Sequence, residues 1–262
     1  MSHPAVARLV NILVRAITYG SFLATHPRWL ARAVTRGRQP GFHLGELIKL
    51  ARASAVLDIS QLATIIDVGA NRGQLSLTAR ALQPGLDIIA VEPLASCAEP
   101  LRLDLERTGG GVVHQVIVGA ESVDAVPFYE SAQDKSSSAL PMSDTQRQQF
   151  PWTAPVAVHH IRQATLDELT SSRPPARPAL LKLDVQGAEL NAIAGAPELL
   201  EMVDFVLAEV GFSSHYDGQP RPQEIIAALA EHGFEVGGVV ELLERPAGGV
   251  VEADLLFRRA QQ

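Results

Sequence analysis

The run Asp67-Val-Gly-Ala-Asn-Arg-Gly73 sets two glycines and several polar side chains at the end of a short apolar stretch. Gly69 and Gly73 permit a tight turn and close approach of a ligand to the backbone, with the amides of the following helix facing it. Glu92 follows the next apolar stretch, where a carboxylate can accept two hydrogen bonds from a ribose diol. Lys182-Leu-Asp-Val-Gln-Gly-Ala-Glu189 closes a later stretch, and polar side chains buried at such a point are costly unless paired or used. Glu209 closes the stretch after that, so Asp184 and Glu209 are expected on neighbouring strand tips. Two carboxylates so placed can hold a divalent cation such as Mg2+ or share the work of a base. An ion pair with Lys182 is the plainer use for either, and Glu189 suits the first turn of a helix.

Histidine is the side chain best suited to accept a proton near neutral pH, and the candidates are His215, His159 and His160. Trp152 offers a stacking face for a ring, with Ser136, Ser137, Ser138 and Asp144 as polar partners and Tyr216 beside His215.

These residues need elements to position them. Short apolar runs at 63–68, 86–91, 112–118, 180–184 and 205–209 read as strands, and helical stretches are expected over 73–82, 96–107, 188–202 and 222–232. Strands alternating with helices imply a parallel sheet covered on both faces. The runs 234–243 and 250–257 leave no room for a crossover helix and must form an antiparallel hairpin. A Rossmann-like sheet with that ending is the class I methyltransferase architecture. Residues 127–161 fit no regular crossover and read as a long insert at the site edge. At the N-terminus, residues 4–35 read as two helices broken near Gly20 or His26-Pro27, and 45–59 as another.

The 262 residues suffice for one large domain plus an appendage, read as an N-terminal helical arm over 1–52 and a main domain over 53–262. A net charge of −7 argues against a general nucleic-acid binder, and a single cysteine excludes an internal disulfide. The arm holds eight basic residues against Glu46 alone, which suits a membrane surface, an acidic partner or the acidic body of the chain itself, and its many apolar residues suit a lid or a homodimer contact. Leu9 to Leu23 is broken by Asn11 and Arg15 and is too short to span a bilayer, so a cytoplasmic protein, peripheral to a membrane at most, is expected.

The glycine run is not the G-x-G-x-x-G of dinucleotide binders, because Asn71 replaces the second glycine. A phosphate needs several free amides, whereas the aminocarboxylate tail of S-adenosylmethionine needs fewer. Glu92 by itself does not separate the two cofactors, since both carry ribose.

Asp67-Val-Gly-Ala-Asn-Arg-Gly-Gln74, Val91-Glu-Pro93, Thr165-Leu-Asp167 and Leu181-Lys-Leu-Asp-Val-Gln-Gly-Ala-Glu189 together resemble the motif set of FkbM-type S-adenosylmethionine-dependent O-methyltransferases. The resemblance spans about residues 60–240 and departs from the family at Val116-Ile-Val-Gly-Ala120. It implies methyl transfer to a hydroxyl of a sugar, polysaccharide or glycolipid, a methylated mannoside among them. It also implies that Asp67, Gly69, Asn71 and Gly73 enclose the methionine part of the cofactor, that Glu92 binds its ribose, and that Asp184 lies at the reaction centre. Two other readings stand beside it, an NAD(P)-dependent Rossmann oxidoreductase and a non-catalytic membrane-surface adaptor.

Overall fold

The computed structural model describes residues 20–133, 136–245 and 248–260. Ten strands follow in chain order: β1 (Thr64–Val68), β2 (Asp87–Val91), β3 (Val112–His114), β4 (Ile117–Val118), β5 (Val123–Ser131), β6 (Pro155–Ala164), β7 (Ala179–Leu183), β8 (Phe205–Gly211), β9 (Phe234–Glu244) and β10 (Val250–Arg259). Seven of them form one sheet in the order β3-β2-β1-β7-β8-β10-β9. The first five of that order run parallel, and β10 lies antiparallel between β8 and β9. This is the Rossmann-like, class I methyltransferase sheet with its terminal reversed hairpin.

Residues of β1 alternate between two apolar layers although all five are buried. Ile66 and Val68 join Leu181, Leu183 and Val206 on one face, while Ile65 joins Ile88, Leu180 and Leu256 on the other. The first face is covered by α6 (Leu166–Ser171), α7 (Glu189–Ala194), α8 (Pro197–Met202) and α9 (Pro222–Glu231). The second is covered by α1 (Pro27–Arg36), α2 (Leu44–Ala53), α3 (Gln74–Leu82) and α4 (Ala95–Thr108). Burial on both sides is what a parallel sheet requires.

Trp29 and Leu47, 2 % and 0 % exposed, belong to that second layer, so the described part of the arm is a core element. The boundary expected at residue 52 falls inside α2. The helix expected over 45–59 ends at Ala53, because Ser54 Oγ donates to the Ala51 carbonyl and Asp58 caps a new short 3-10 turn at Ile59–Gln61. Residues 1–19, with the first half of the expected helical pair, lie outside the described residues. Among the described residues no helix is long and apolar enough to cross a membrane.

Three other expectations are corrected. The strand read over 112–118 is two strands, since Val112–His114 pairs with β2 while Ile117–Val118 pairs with β6 in a separate sheet. The insert is not irregular throughout: β5 and β6 pair antiparallel, giving a three-stranded sheet in the order β4-β6-β5. The helix expected over 188–202 is broken at Gly195, and Pro197, which has no N–H to donate, opens α8. The segment between β5 and β6 carries α5 (Asp144–Gln149) and a 3-10 turn at Pro151–Thr153. It docks on the loop after β8, where Ser143 N donates to the His215 carbonyl and Ser143 Oγ to the Ser214 carbonyl.

Candidate active site

The turn after β1 is held by its own hydrogen bonds. The amides of Gly69 and Ala70 both donate to the Val91 carbonyl, and Gly73 N donates to the Ala70 carbonyl. Asn71 N donates to Glu92 Oε2 at 2.8 Å, and Arg72 N to Asn71 Oδ1 at 2.9 Å. These bonds shape the turn itself; the ligand-facing amides expected from the sequence are those of the helix that follows, which these bonds do not involve. The glycines also have another cause. A Cβ on Gly69 would lie 1.8 Å from the Asp184 carbonyl oxygen, and one on Gly73 would lie 2.3 Å from Leu101 Cδ1. Both glycines, and Asn71 at φ 49°, adopt left-handed backbone.

What the turn itself offers is carboxylate. Asp67, 1 % exposed, lies 3.2 Å from Lys182 Nζ through Oδ1, and its Oδ2 has no hydrogen-bond partner. Glu92 accepts from Asn71 N and, through Oε1 at 2.9 Å, from Leu94 N. Burial pushes its pKa up to about 7. Lys182 Nζ donates to the Gly69 carbonyl at 2.8 Å and lies 3.3 Å from Asp184 Oδ2, tying β7 to the β1 turn. Burial opposes the charge of Asp184, but the Lys182 ammonium, the Gln186 amide and Lys49 together outweigh it and hold this carboxyl below its usual range.

Asp67, Glu92 and Asp184 present acceptors to a donor-rich, positively charged group. That donor set fits S-adenosylmethionine, whose ammonium, sulfonium and ribose hydroxyls need acceptors and negative potential.

Gln186 organises the tips of β7 and β8. Its Nε2 lies 2.9 Å from Asp184 Oδ1 and 2.5 Å from Glu209 Oε2, so one amide group joins both carboxylates. Its Oε1 accepts from Tyr216 OH at 2.9 Å, which fixes the amide orientation. Burial and then the nearby Asp184 raise the Glu209 pKa well above the usual range. Gln186 had been quoted within its motif without a role. Its signal is a non-glycine residue before Gly187, held at φ 53°, which lets the side chain reach across both tips.

Asp184 and Glu209 thus meet, but through Gln186. Among the described residues no three His, Cys, Asp or Glu side chains converge as metal ligands. Two carboxylates spanned by an amide make a poor Mg2+ cage, which wants near-octahedral oxygen ligands.

His215, Tyr216 and Glu209 line one cleft with Gln186 and Glu189. His215 is 8 % exposed, its Nε2 has no hydrogen-bond partner, and burial together with the charge of Arg245 lowers its pKa. It is neutral at neutral pH. Glu189 is a capping group: Oε1 accepts from Val185 N and Gly187 N, closing the β7–α7 turn.

The remaining candidates are more scattered. Ser138 Oγ donates to the Gln186 carbonyl at 2.7 Å, and Ser136 receives a hydrogen bond from Tyr216 OH on its carbonyl. Ser137 Oγ accepts from Ser131 N. These serines brace the Gln186 turn and the neighbouring strand. Trp152 is half exposed and meets Phe150 edge-on at 5.7 Å, and Phe150 meets His215 at 5.8 Å. Asp144 is exposed and paired with Arg147. His159 and His160 are exposed on β6, the former against Glu130 at 2.7 Å and the latter opposite Pro127, and neither lines the cleft.

Comparison with known proteins gives a consistent result. The model of the family described as the methyltransferase FkbM domain matches residues 67–236. The chain is 26 % identical over 206 residues to the 2-O-methyltransferase NoeI of Sinorhizobium fredii, covering 75 % of this chain and 79 % of that one. It is 26 % identical over 203 residues to the AMB antimetabolite synthetase AmbE of Pseudomonas aeruginosa, covering 66 % of this chain and spanning only 10 % of that protein's length. Among solved structures it resembles the magnesium protoporphyrin IX methyltransferase of Synechocystis PCC 6803 with bound SAM, at TM-score 0.45 and 12 % identity over 82 % of this chain and 79 % of that one. It also resembles a putative RNA methyltransferase of Pyrococcus horikoshii, at TM-score 0.44 and 17 % identity over 88 % and 96 % of the two chains.

Proposed function

The chain belongs to the FkbM methyltransferase family, and from that premise we propose that it is an O-methyltransferase acting on a hydroxyl of a sugar, polysaccharide or glycolipid. It is an S-adenosylmethionine-dependent methyltransferase, which sets aside the nicotinamide oxidoreductase and the non-catalytic adaptor. The cofactor supplies a methyl group already activated by its sulfonium. What the protein must add is alignment and a place for the hydroxyl proton.

One observation carries the assignment of roles: Gln186 joins Asp184, beside the β1 turn, to Glu209 in the cleft that His215 also lines. Asp67 and Asp184 hold the positive part of the cofactor, and Glu92 its ribose. Alignment of this kind can lower a barrier by about 7–11 kcal/mol. His215, neutral and with Nε2 unpartnered, accepts the proton of the attacking hydroxyl. A positioned base adds about 10²–10⁴-fold. The 2-O-methyltransferase relative supports oxygen as the atom methylated.

The test is transfer of an isotopically labelled methyl group from S-adenosylmethionine to a panel of glycans, with mannosides included, in the presence and absence of a chelator. Label on a sugar oxygen is expected, unchanged by the chelator. Label on nitrogen, or none on any glycan, would overturn the reading.

We place the reaction in the cytoplasm, with a glycolipid acceptor met at an anionic membrane surface. The basic arm supports this, as does α1, which leaves Leu30 and Val34 exposed beside Arg28. Co-sedimentation with anionic vesicles should fall when Leu30 and Val34 are both changed to serine; equal binding would remove the surface role.

A further inference from the structure

We infer that the acceptor carries a protonated amine near the hydroxyl that is methylated, and that Glu209 and Glu252 receive it. This rests on the O-methyl-transfer reading above. The lining of the cleft contains Glu189, Glu209 and Glu252 and neither lysine nor arginine. Two nearby cations are paired elsewhere, and the charge of a third, Arg245, is felt at His215. Lys182 serves Asp67 and Asp184, and Lys49 serves Glu241 at 3.0 Å and Asp254 at 2.7 Å. Arg245 donates to Ser213 Oγ. Glu189 is satisfied by two backbone amides. Among the described residues Glu209 accepts from the neutral amide of Gln186, and Glu252, opposite Gly211 on β10, feels the charge of Lys49 without a close ion pair to it.

His215 supplies an independent sign that this wall receives a ligand. Buried polar atoms are nearly always hydrogen-bonded, yet Nε2 of this 8 % exposed residue has no partner within the protein. A hydroxyl alone would satisfy that nitrogen and leave Glu209 and Glu252 without the positive group that would favour their charged forms, which burial and Asp184 disfavour. An amino alcohol satisfies both needs: its hydroxyl meets His215, and its ammonium brings one positive charge and up to three N–H donors to the glutamates. A phosphorylated or uronic acceptor would instead meet like charge, which acts as a specificity barrier.

The probes are methyl α-D-glucosaminide and methyl α-D-glucoside, which differ by an amine in place of a hydroxyl. Each is titrated into the full chain saturated with S-adenosylhomocysteine and followed by ligand-observed NMR at pH 7. The glucosaminide should bind at least about 10-fold more tightly, equivalent to about 1.4 kcal/mol. Glu252→Gln should remove the preference without altering S-adenosylhomocysteine binding. Equal binding of the two probes, or a preference that survives in both Glu252→Gln and Glu209→Gln, overturns the acidic subsite and leaves the O-methyl reading standing. Binding of neither probe overturns the subsite and the sugar acceptor together. Failure of S-adenosylhomocysteine to bind overturns the methyl-transfer reading and this inference with it.

Discussion

The Cβ that Gly69 lacks would fall 1.8 Å from the carbonyl oxygen of Asp184, so the turn after β1 and the tip of β7 touch backbone to backbone. That contact holds the β1 turn and the tip of β7, with Asp184, in a fixed relation. Gly69→Ala must push the two apart in a left-handed conformation that disfavours alanine. A loss of about 3 kcal/mol is expected in urea unfolding, with weakened S-adenosylhomocysteine binding. Wild-type stability in this variant would mean that the contact is not rigid.

Lys182 is the cation on which two carboxylates depend. Lys182→Met leaves Asp67, 1 % exposed, without a positive neighbour, and should cost about 3–5 kcal/mol. Combining it with Asp67→Asn should recover part of that loss, because one of the two uncompensated charges is gone while Asp184 still lacks its cation. Additive losses in the pair would show that the ion pair is not the source.

Gln186→Met keeps the bulk but removes the amide that joins Asp184 to Glu209. Turnover should drop by about 10²-fold while S-adenosylhomocysteine affinity stays unchanged, since the loss is one of alignment. Equal loss of cofactor binding would place Gln186 in the cofactor site instead.

His215→Ala should lower turnover by about 10²–10⁴-fold, with a smaller change in acceptor binding. Steady-state kinetics with labelled methyl donor checks it. A variant with near-normal turnover would leave the proton to Glu209.

Stability should fall as pH rises from 4.5 through 7. Burial pushes Glu92 and Glu189 up to about 7 from an ordinary 4.5. The folded chain therefore keeps protons that the unfolded chain has released in that window. The stabilisation is complete below the unfolded value and is lost above the folded one. Urea unfolding across this range measures the slope, and Glu189→Gln should flatten it; an unchanged slope would exclude Glu189 as a contributor.

Much of this was legible in the sequence. The strands carrying Asp67, Glu92, Asp184 and Glu209 are continuous apolar runs, and each polar residue at their ends announces itself against that background. The terminal hairpin was legible because the segment between β9 and β10 is too short for a helix. The insert was not. β5 and β6 are exposed on much of both faces, so neither shows the alternation that marks a half-buried strand. In the described part of the arm Arg28, Arg38 and Arg52 are exposed, while Trp29 and Leu47 are part of the core.

The order of apolar runs and turn residues determined the parallel sheet, its reversed ending and the edge where chemistry gathers. Those follow from local periodicity and chain length between elements, which a linear string contains. Only the folded chain decided that Gln186 rather than a cation joins the two carboxylates, and that His215 faces their cleft while His160 does not. It also decided that a Cβ at Gly69 or Gly73 would meet protein atoms of β7's tip or of Leu101. Such facts depend on distances between residues far apart in sequence, and no spacing rule along one strand can supply them.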